Sequence, residues 1–226
     1  MIEIEELLDL SHTIAAPLFA GKTYPWEVLD GIKDFILELG KTLNPEEFDH
    51  PEEFDHPAEG VWVAKDAKVY PTAWLGAPCI IDHEAEVRHC AFIRGGAIVG
   101  KGAVVGNSVE LKNVVLFDKV QTPHYNYVGD SILGYCSHMG AGSVTSNVKS
   151  DKKLVVVKEP GAPHETGRKK FGAILGDNVE VGCNSVLNPG TVIGRHSNVY
   201  PTSCVRGVVP PNSIWKDNGV VVTKHE

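Results

Sequence analysis

The chain has 226 residues, of which 42% are hydrophobic and 22% charged, a composition typical of one sizeable globular domain with a short appendage. Its N-terminus is acidic and no apolar run approaches the roughly 18 residues of a membrane span, so we expect a cytoplasmic protein without a membrane partner. The 5 cysteines include no C-x-x-C pair, which disfavours both a disulfide framework and a zinc ribbon.

Charge is distributed unevenly along the chain. Residues 1–57 hold 14 acids and 3 bases, whereas residues 58–226 hold 15 acids and 18 bases. The overall net charge of -8 argues against a nucleic-acid partner. The mildly basic second part favours a small phosphorylated ligand instead.

The first 45 residues carry two helical patterns. Apolar residues recur at helical spacing from Trp26 to Leu39, Pro25 suits a first turn and Gly40 suits a C-terminal cap, which predicts a helix over about 25–39. A shorter helix is predicted over 2–10. We expect this helical appendage to pack on the main domain or on a neighbouring subunit rather than to have an active role.

A six-residue segment, Glu-Glu-Phe-Asp-His-Pro, occurs twice in succession, at 46–51 and 52–57. Its histidines and carboxylates could indicate a metal site, but an acidic segment punctuated by proline is more typical of a solvated linker. We therefore interpret residues 1–57 as a helical and acidic appendage that ends in a linker.

A six-residue repeat dominates the remainder of the chain. Large apolar residues recur every six positions from Val63 to Phe117, at Leu133 and Met139, and from Leu175 to Val205, and the residue two positions before is mostly small or β-branched. This period fits neither a helix nor an alternating strand, and it is typical of a stacked solenoid. It predicts a mainly β fold, a left-handed parallel β-helix over 58–208, followed by a C-terminal cap over 209–226.

The repeat is interrupted twice. The interval from Phe117 to Leu133 is longer than two hexads, and the interval 148–172 is rich in lysine and arginine. Insertions in solenoids form loops, which often lie on the binding face. We predict functional loops at 118–132 and 148–172.

Several motifs resemble a known family. They are Ile93-Arg-Gly-Gly-Ala97, Val109-Glu-Leu-Lys112, His124-Tyr-Asn-Tyr-Val-Gly-Asp130, Met139-Gly-Ala-Gly-Ser-Val-Thr-Ser-Asn147 and Thr166-Gly-Arg-Lys-Lys-Phe-Gly-Ala-Ile-Leu-Gly-Asp177. The first four resemble the acetyltransferase domain of the bifunctional UDP-N-acetylglucosamine pyrophosphorylase / glucosamine-1-phosphate acetyltransferase. The last resembles stand-alone sugar-phosphate relatives of that enzyme. The resemblance covers about residues 90–215.

The resemblance implies an acyl-CoA-dependent acyltransferase of nucleotide-sugar biosynthesis, with acetyl-CoA as co-substrate and an amino-sugar 1-phosphate or related sugar phosphate as acceptor. His124 is implied as the general base, a role that suits the near-neutral pKa of an ordinary histidine. The implied substrate contacts are Arg94 and Lys112 for phosphate, Glu110 and Tyr127 for sugar hydroxyls or amine, Asn147 for the sugar, and Lys153 near the substrate or acyl group. No CoA-binding residue and no metal site is implied, and a homotrimer is expected.

Two positions depart from the family pattern. His138 stands where the family has a sugar-binding asparagine, and we expect His138 to contact the substrate from that position. Val148 stands where a tyrosine follows the matching asparagine. The acceptor sugar is therefore open. Nothing in residues 1–60 resembles the phosphate loop of the family's nucleotidyltransferase domain, so we expect no pyrophosphorylase activity.

Two alternatives remain from the sequence. One is a non-catalytic sugar-phosphate-binding or scaffold subunit with the same coil. The other is a γ-carbonic-anhydrase-like metal enzyme, which is disfavoured because His83 and His89 are six residues apart and would lie on adjacent faces of the coil.

Overall fold

The computed structural model describes residues 2–49, 60–159, 161–216 and 219–224. The fold is a β-solenoid of about 9 turns with a short N-terminal helical part, which confirms the predicted parallel β-helix. The helices are α1 (Ile4–Leu7) and α2 (Ile32–Gly40), with 3-10 helices at Leu10–His12, Ala16–Phe19 and Pro25–Val28. The strands are β1 (Phe48–Asp49), β2 (Val61–Ala64), β3 (Lys68–Val69), β4 (Trp74–Leu75), β5 (Cys79–Ile81), β6 (Glu86–Val87), β7 (Phe92–Ile93), β8 (Ala97–Val99), β9 (Val104–Asn107), β10 (Glu110–Leu116), β11 (Gln121–His124), β12 (Tyr127–Leu133), β13 (His138–Met139), β14 (Val144–Thr145), β15 (Val156–Glu159), β16 (Ala162–Glu165), β17 (Ala173–Leu175), β18 (Glu180–Val181), β19 (Val186–Leu187), β20 (Thr191–Ile193), β21 (Asn198–Val199), β22 (Cys204–Val205), β23 (Val208–Val209), β24 (Ser213–Trp215) and β25 (Val221–Thr223).

The strands stack in parallel on three faces of the coil. The first face contains β2, β5, β8, the second half of β10, the second half of β12, β17, β20 and β23. The second face contains β3, β6, β9, β11, β13, β18, β21 and β24. The third face contains β4 and β7, the first halves of β10 and β12, and then β14, β19 and β22.

The interior of the coil is formed by the six-residue repeat. Val87, Ile93, Val99 and Val105 are all 0% exposed, as is the small residue Cys79. Burial raises the pKa of the Cys79 thiol to about 12, so this cysteine stays protonated and acts as a small apolar side chain. Three hexads close each coil because one large side chain per face fills the interior.

The predicted loop at 118–132 is wrong, because these residues form a further coil. Strands β11 and β12 occupy most of the segment, with Thr122 paired to Val105 and Val128 paired to Leu111. Thr122 is 0% exposed and its hydroxyl donates to the carbonyl of Val104 at 3.1 Å, so a polar residue occupies the inward position. Because its hydroxyl is hydrogen-bonded, Thr122 can be buried at a position where the repeat otherwise has an apolar residue, and a search for apolar residues misses this rung.

A change of register also hides that coil. Val99 pairs with Leu116, and Leu116 pairs with Leu133. Each of these two successive coils therefore has 17 residues rather than 18. Phe117 therefore does not belong to the large inward series, contrary to the sequence interpretation. It follows Leu116 as Gly100 follows Val99, and its ring packs edge-on against Phe19 at 5.8 Å between centroids. The aromatic side chain thus anchors the N-terminal segment to the coil.

The interval 148–172 is a true insertion between β14 and β17. It contains the antiparallel hairpin of β15 and β16. Val155, Val157 and Phe171 are 0% exposed, so the insertion packs against the rest of the molecule.

The coil extends beyond its predicted end at residue 208. Strand β24 continues the second face, with Trp215 paired to Val199, and β25 then pairs with β24 in the antiparallel direction. Val209 pairs with Ile193 although it follows Val205 by only four positions. The side of the coil between Val205 and Val209 is therefore shorter than six residues, which ends the regular spacing before the coil itself ends.

The helix predicted over 25–39 is two separate elements. A 3-10 helix spans Pro25–Val28, and α2 begins at Ile32 after a turn. Ile32 and Ile36 are buried and α2 lies on the first face, so the appendage packs on the coil of its own chain. The shorter helix, predicted over 2–10, covers only Ile4–Leu7, followed by a 3-10 helix at Leu10–His12.

Gly40 is the last residue of α2, and its role differs from the predicted cap. A Cβ built at Gly40 would lie 2.3 Å from the indole ring of Trp62, closer than real contacts allow. The glycine is needed because Trp62 of β2 packs directly on the helix backbone. Close packing, rather than helix termination, explains this residue.

Part of the first copy of the doubled segment belongs to the sheet. Phe48 and Asp49 form β1, which pairs with β2, and Phe48 is 5% exposed. This part of the predicted linker is therefore a packed strand. The second copy, at 52–57, lies outside the described residues, so the interpretation of that copy as a linker or a metal site stays a prediction.

Candidate functional site

Two corners of the coil border the third face, and both have unusual backbone conformations. At the corner between the third and first faces, Asn113 and Asp130 have positive φ angles of 56° and 49°. Asparagine and aspartate tolerate this left-handed region better than most residues, which explains why short polar side chains stand there. Gly96 and Gly172 occupy the same corner in neighbouring rungs. The carbonyl of Gly96 accepts the backbone N–H of Val114, and the N–H of Gly172 donates to the carbonyl of Asp130.

Asp130 accepts hydrogen bonds from three side chains on neighbouring rungs. The Lys112 ammonium lies 3.0 and 2.9 Å from its two carboxylate oxygens, and the amides of Asn113 and Asn147 donate at 3.1 and 2.6 Å. Asp130 is only 3% exposed. Such charge-assisted bonds are strong away from water, so this carboxylate fixes the positions of its three partners.

Tyr127 joins the same network from the middle of the third face. Its hydroxyl accepts a hydrogen bond from the Asn147 amide at 3.1 Å. Burial raises the pKa of Tyr127, and the negative charges of Asp130 and Glu110 raise it further. The phenol therefore stays neutral at physiological pH and can donate its proton to a ligand.

Arg94 and Glu110 form an ion pair beside Tyr127. The guanidinium and carboxylate are 2.8 Å apart, and Glu110 is the direct register partner of Tyr127. This hydrogen bond raises the pKa of Arg94 further above its ordinary value. The structure thus brings together five predicted site residues: Arg94, Glu110, Lys112, Tyr127 and Asn147.

His124 ends β11 at the corner between the second and third faces. Tyr125 there has a φ of 54°, and the buried Asn126 donates to the carbonyls of Gly140 and Ser143. The Asn126 side chain also accepts the backbone N–H of His124 at 3.2 Å. Asn126 therefore fixes the corner that positions His124, whose exposed ring has no hydrogen-bond partner within the described residues.

His138 and Lys153 are not part of this network. His138 lies on the second face, where its ring bonds to Glu180 at 2.8 Å. Lys153 lies in the insertion, and its backbone N–H bonds to Asp151 at 3.1 Å. No hydrogen bond or ion pair between described residues joins either side chain to Tyr127 or Asp130.

A cavity of about 360 Å³ opens at the Asp130 corner. Its walls come from three separate parts of the chain: the N-terminal segment, the coil and the insertion. The lining residues are Leu29, Asp30, Lys33, Lys112, Asn113, Asp130, Gly167, Arg168, Lys169 and Lys170.

The sequence analysis gave no role to several of these residues. Asp130 is the acidic residue of the quoted His124–Asp130 motif, so the motif itself was the signal for it. Asn113 follows the last residue of another quoted motif. No sequence signal pointed to Asp30 or Lys33, because only the packing of α2 on the first face brings them to the cavity.

Within the described ranges, no group of three histidine, cysteine or acidic side chains could hold a metal ion. The ring of His83 bonds to Asp66 at 2.9 Å, and that of His89 bonds to Thr72 at 2.8 Å. No helix in the described part of the chain is long and apolar enough to cross a membrane.

Comparison with protein families gives a match over most of the coil. Residues 75–217, more than half of the chain, match the family model described as the GMPPB C-terminal domain. A bifunctional sugar-1-phosphate nucleotidylyltransferase/acetyltransferase of Sulfurisphaera tokodaii is 36% identical over 109 residues, covering 48% of this chain and 27% of that protein. The bifunctional protein GlmU of Methanococcus maripaludis is 36% identical over 118 residues, covering 52% and 28% respectively. The resemblance inferred from the motifs is confirmed, although this chain matches less than a third of the length of either relative.

Solved structures with similar folds were also found. The acetyltransferase domain of PglB from Neisseria gonorrhoeae has a TM-score of 0.33 and 14% identity, over 67% of this chain and 55% of that one. A perosamine N-acetyltransferase variant from Caulobacter crescentus, in complex with CoA and GDP-perosamine, has a TM-score of 0.30 and 17% identity, over 73% and 57%.

Proposed function

Because this chain belongs to the family of the GMPPB C-terminal domain, we propose that it is an acyl-CoA-dependent acyltransferase of nucleotide-sugar biosynthesis. The acyl group is expected to be acetyl, and the acceptor an amino-sugar 1-phosphate or a related sugar phosphate. The proposal is further supported by the curated relatives, whose names include a sugar-1-phosphate nucleotidylyltransferase/acetyltransferase.

The observation that carries the proposal is the order of groups across the third face. His124 lies before the corner at one edge, Tyr127 lies on the face, and Asp130 with Lys112 lies at the opposite corner. Tyr127 and Asp130 are three residues apart on one strand, about 10 Å at the usual rise. An acceptor lying along this strand would have its reactive amine near His124 and its phosphate near Lys112.

The middle of the face suits the hydroxyl groups of a sugar. Tyr127 can donate a proton, while Glu110 and the side-chain oxygen of Asn147 can accept one. Asp130 holds Asn147 in place, so this part of the site is formed before a ligand arrives. Preformed polar groups lower the cost of ordering the site on binding.

In the proposed reaction, the acceptor nitrogen attacks the thioester carbonyl of acyl-CoA while His124 removes a proton from that nitrogen. The tetrahedral intermediate then collapses, the carbon–sulfur bond breaks, and the imidazolium returns the proton to the CoA sulfur. Histidine suits both steps because it titrates near neutrality. The products are the acylated sugar phosphate and free CoA.

We also propose a homotrimer in which neighbouring copies cover the third face. Trp74, Phe92 and Val186 are 45%, 43% and 37% exposed, and all three lie on strands of this face. A line of exposed apolar side chains is typical of a subunit interface. A monomeric mass in solution, with activity intact, would contradict this assembly.

The function is tested by measuring CoA release with acetyl-CoA and a panel of amino-sugar phosphates. We expect turnover by the native protein and a loss of at least about 100-fold in kcat for His124→Ala. His89→Ala is a matched control, because His89 is an exposed histidine that bonds to Thr72 elsewhere on the coil. Absence of CoA release by the native protein with every acceptor, despite sugar-phosphate binding, would favour the non-catalytic alternative.

A further inference from the structure

The two basic residues that the family resemblance assigns to phosphate are both occupied by carboxylates. Arg94 pairs with Glu110 at 2.8 Å, and Lys112 contacts both carboxylate oxygens of Asp130. An anion at either cation would have to compete with a carboxylate already in place. Cations without a carboxylate partner would therefore bind the phosphate group at a lower cost.

Further cations line the cavity at the Asp130 corner, on the walls formed by the N-terminal segment and the insertion. Lys33 comes from α2, and Lys169 and Lys170 come from the insertion. Within residues 2–49, 60–159, 161–216 and 219–224, none of these three lysines forms an ion pair. No described carboxylate neutralises the charges of these three lysines, whereas Arg94 and Lys112 are each paired with one.

The walls that carry these lysines are held together by polar contacts. Arg168, whose side chain is only 11% exposed, pairs with Asp30 at 2.6 Å and so joins the insertion to the N-terminal segment. Asn113 donates to the carbonyl of Leu29 at 3.0 Å and joins that segment to the coil. The cavity is therefore formed by defined contacts between all three parts.

The charge in the cavity favours an anion. Lysines 33, 112, 169 and 170 and Arg168 face only two acids, Asp30 and Asp130, which leaves an excess of three positive charges. A phosphate monoester carries about -1.5 to -2 at pH 7. The size, near 360 Å³, leaves room for a phosphate and part of the group attached to it.

We propose that this cavity binds the phosphate group of the acceptor through Lys33, Lys169 and Lys170, and that the N-terminal segment is thereby part of the binding site. The identity of the ligand as the acceptor rests on the proposed function. The anion site itself does not, because it follows from the cavity and its charges. The phosphate is either a monoester, as in a sugar 1-phosphate, or a diester, as in a nucleoside-diphosphate sugar.

The test is calorimetric binding of three ligands to the full chain without acyl-CoA: a hexosamine 1-phosphate, a nucleoside-diphosphate hexosamine and the free hexosamine. We expect binding of at least one phosphorylated ligand, and weaker or no binding of the free sugar. The affinity for a monoester should fall below about pH 6, where its second proton binds, whereas that for a diester should not. Equal affinity for the free and phosphorylated sugars would overturn the proposal.

Variants locate the phosphate in this cavity. Lys33→Met keeps the aliphatic stem that lies beside Gly96 and removes only the charge. We expect about tenfold weaker binding at low salt for Lys33→Met, and the same or more for the pair Lys169→Gln and Lys170→Gln. Lys41→Met, at the end of the same helix and outside the cavity, should bind like the native protein.

Native affinity in both cavity variants would overturn the proposal, whether or not the protein releases CoA. Conversely, weakened binding in these variants together with no CoA release would leave the anion site standing and remove the acyltransferase proposal. The two proposals can therefore fail separately.

Discussion

The ammonium group of Lys112 and the carboxylate of Asp130 meet on adjacent rungs of the coil, with both carboxylate oxygens within 3.0 Å of the nitrogen. The two residues are 18 apart in sequence, one more than the 17-residue turn that pairs Lys112 with Gly129. The same carboxylate accepts from Asn113 and Asn147. Asp130 thus connects the strands of the candidate site to Asn113, which in turn donates to the Leu29 carbonyl of the N-terminal segment.

Asp130→Asn should disrupt this arrangement without changing the backbone, since asparagine also tolerates the positive φ at this corner. We expect the free energy of unfolding to fall by about 2 kcal/mol, because the half-buried Lys112 loses its counter-charge. Urea denaturation measures the change. Asp151→Asn, at an exposed position of the insertion, is the control. Equal midpoints for the native protein and Asp130→Asn would contradict the central role of Asp130.

Tyr127→Phe removes a hydroxyl from the middle of the third face. If Tyr127 contacts the acceptor sugar, KM for the acceptor should rise about tenfold while kcat changes little. Steady-state kinetics at saturating acetyl-CoA measures both. Tyr125→Phe removes a hydroxyl from a neighbouring side chain that is 64% exposed, and it should leave both constants unchanged. A Tyr127 variant with native KM would exclude the contact.

Thr122→Asp tests whether residues 118–132 form a coil. A carboxylate at this fully buried inward position should cost about 3 kcal/mol or more in stability, because it cannot be solvated. Gln121→Asp places the same charge on the adjacent exposed residue and should cost less than about 0.5 kcal/mol. Thermal melts that are alike for the two variants would mean that the segment is not a rung of the solenoid.

Gly40→Ala introduces a single methyl group next to Trp62. Alanine is the better helix former by about 1 kcal/mol, yet we expect a net loss of about 2 kcal/mol because the new Cβ would overlap the indole ring. In Gly31→Ala, by contrast, the nearest atoms to the new Cβ are at 3.6 Å, so this control should be tolerated. Chemical denaturation compares the two, and a stabilised Gly40 variant would show that the helix and Trp62 are not in contact.

Asp82 should make stability depend on pH. Burial raises its pKa above the ordinary value of 3.8, so the folded state holds more protons between the two pKa values and stability falls as pH rises through that window. Asp82→Asn avoids the cost of the buried charge while its oxygen can still accept the N–H of His83. The variant should melt higher than the native protein at pH 7, and this advantage should disappear below about pH 4. An advantage that persists in acid would point to another cause.

The six-residue pattern predicted the coil correctly where every inward residue is apolar, as from Val63 to Val99. It failed where Thr122 replaces an apolar residue and where the spacing shortens by one before Leu116. In both cases hydrogen bonds between rungs preserve the stacking although the hydrophobic signal is lost. The motif containing His124 and Tyr127 lies in that same rung, so the predicted functional loop was a regular part of the fold.

The family resemblance grouped Arg94, Glu110 and Tyr127 as contacts to one substrate, and the structure places these residues close together on the third face. Arg94, Glu110 and Tyr127 lie on successive rungs, and a solenoid brings residues about one coil apart into contact. Asp130 was within a motif but its partners could not be read from it. They depend on which side chains the corner between the third and first faces turns toward one another.

The sequence by itself determined the solenoid and most of the third face, because both follow from a short repeat in which each residue contacts its equivalent one turn away. Only the tertiary structure decided that Asp30 and Lys33 join the insertion around Lys112 and Asp130. That cavity is formed by three segments far apart in the chain, and their meeting depends on how α2 packs on the first face. Such packing depends on the shape and burial of side chains from distant parts of the chain. A six-residue repeat carries no information about these contacts.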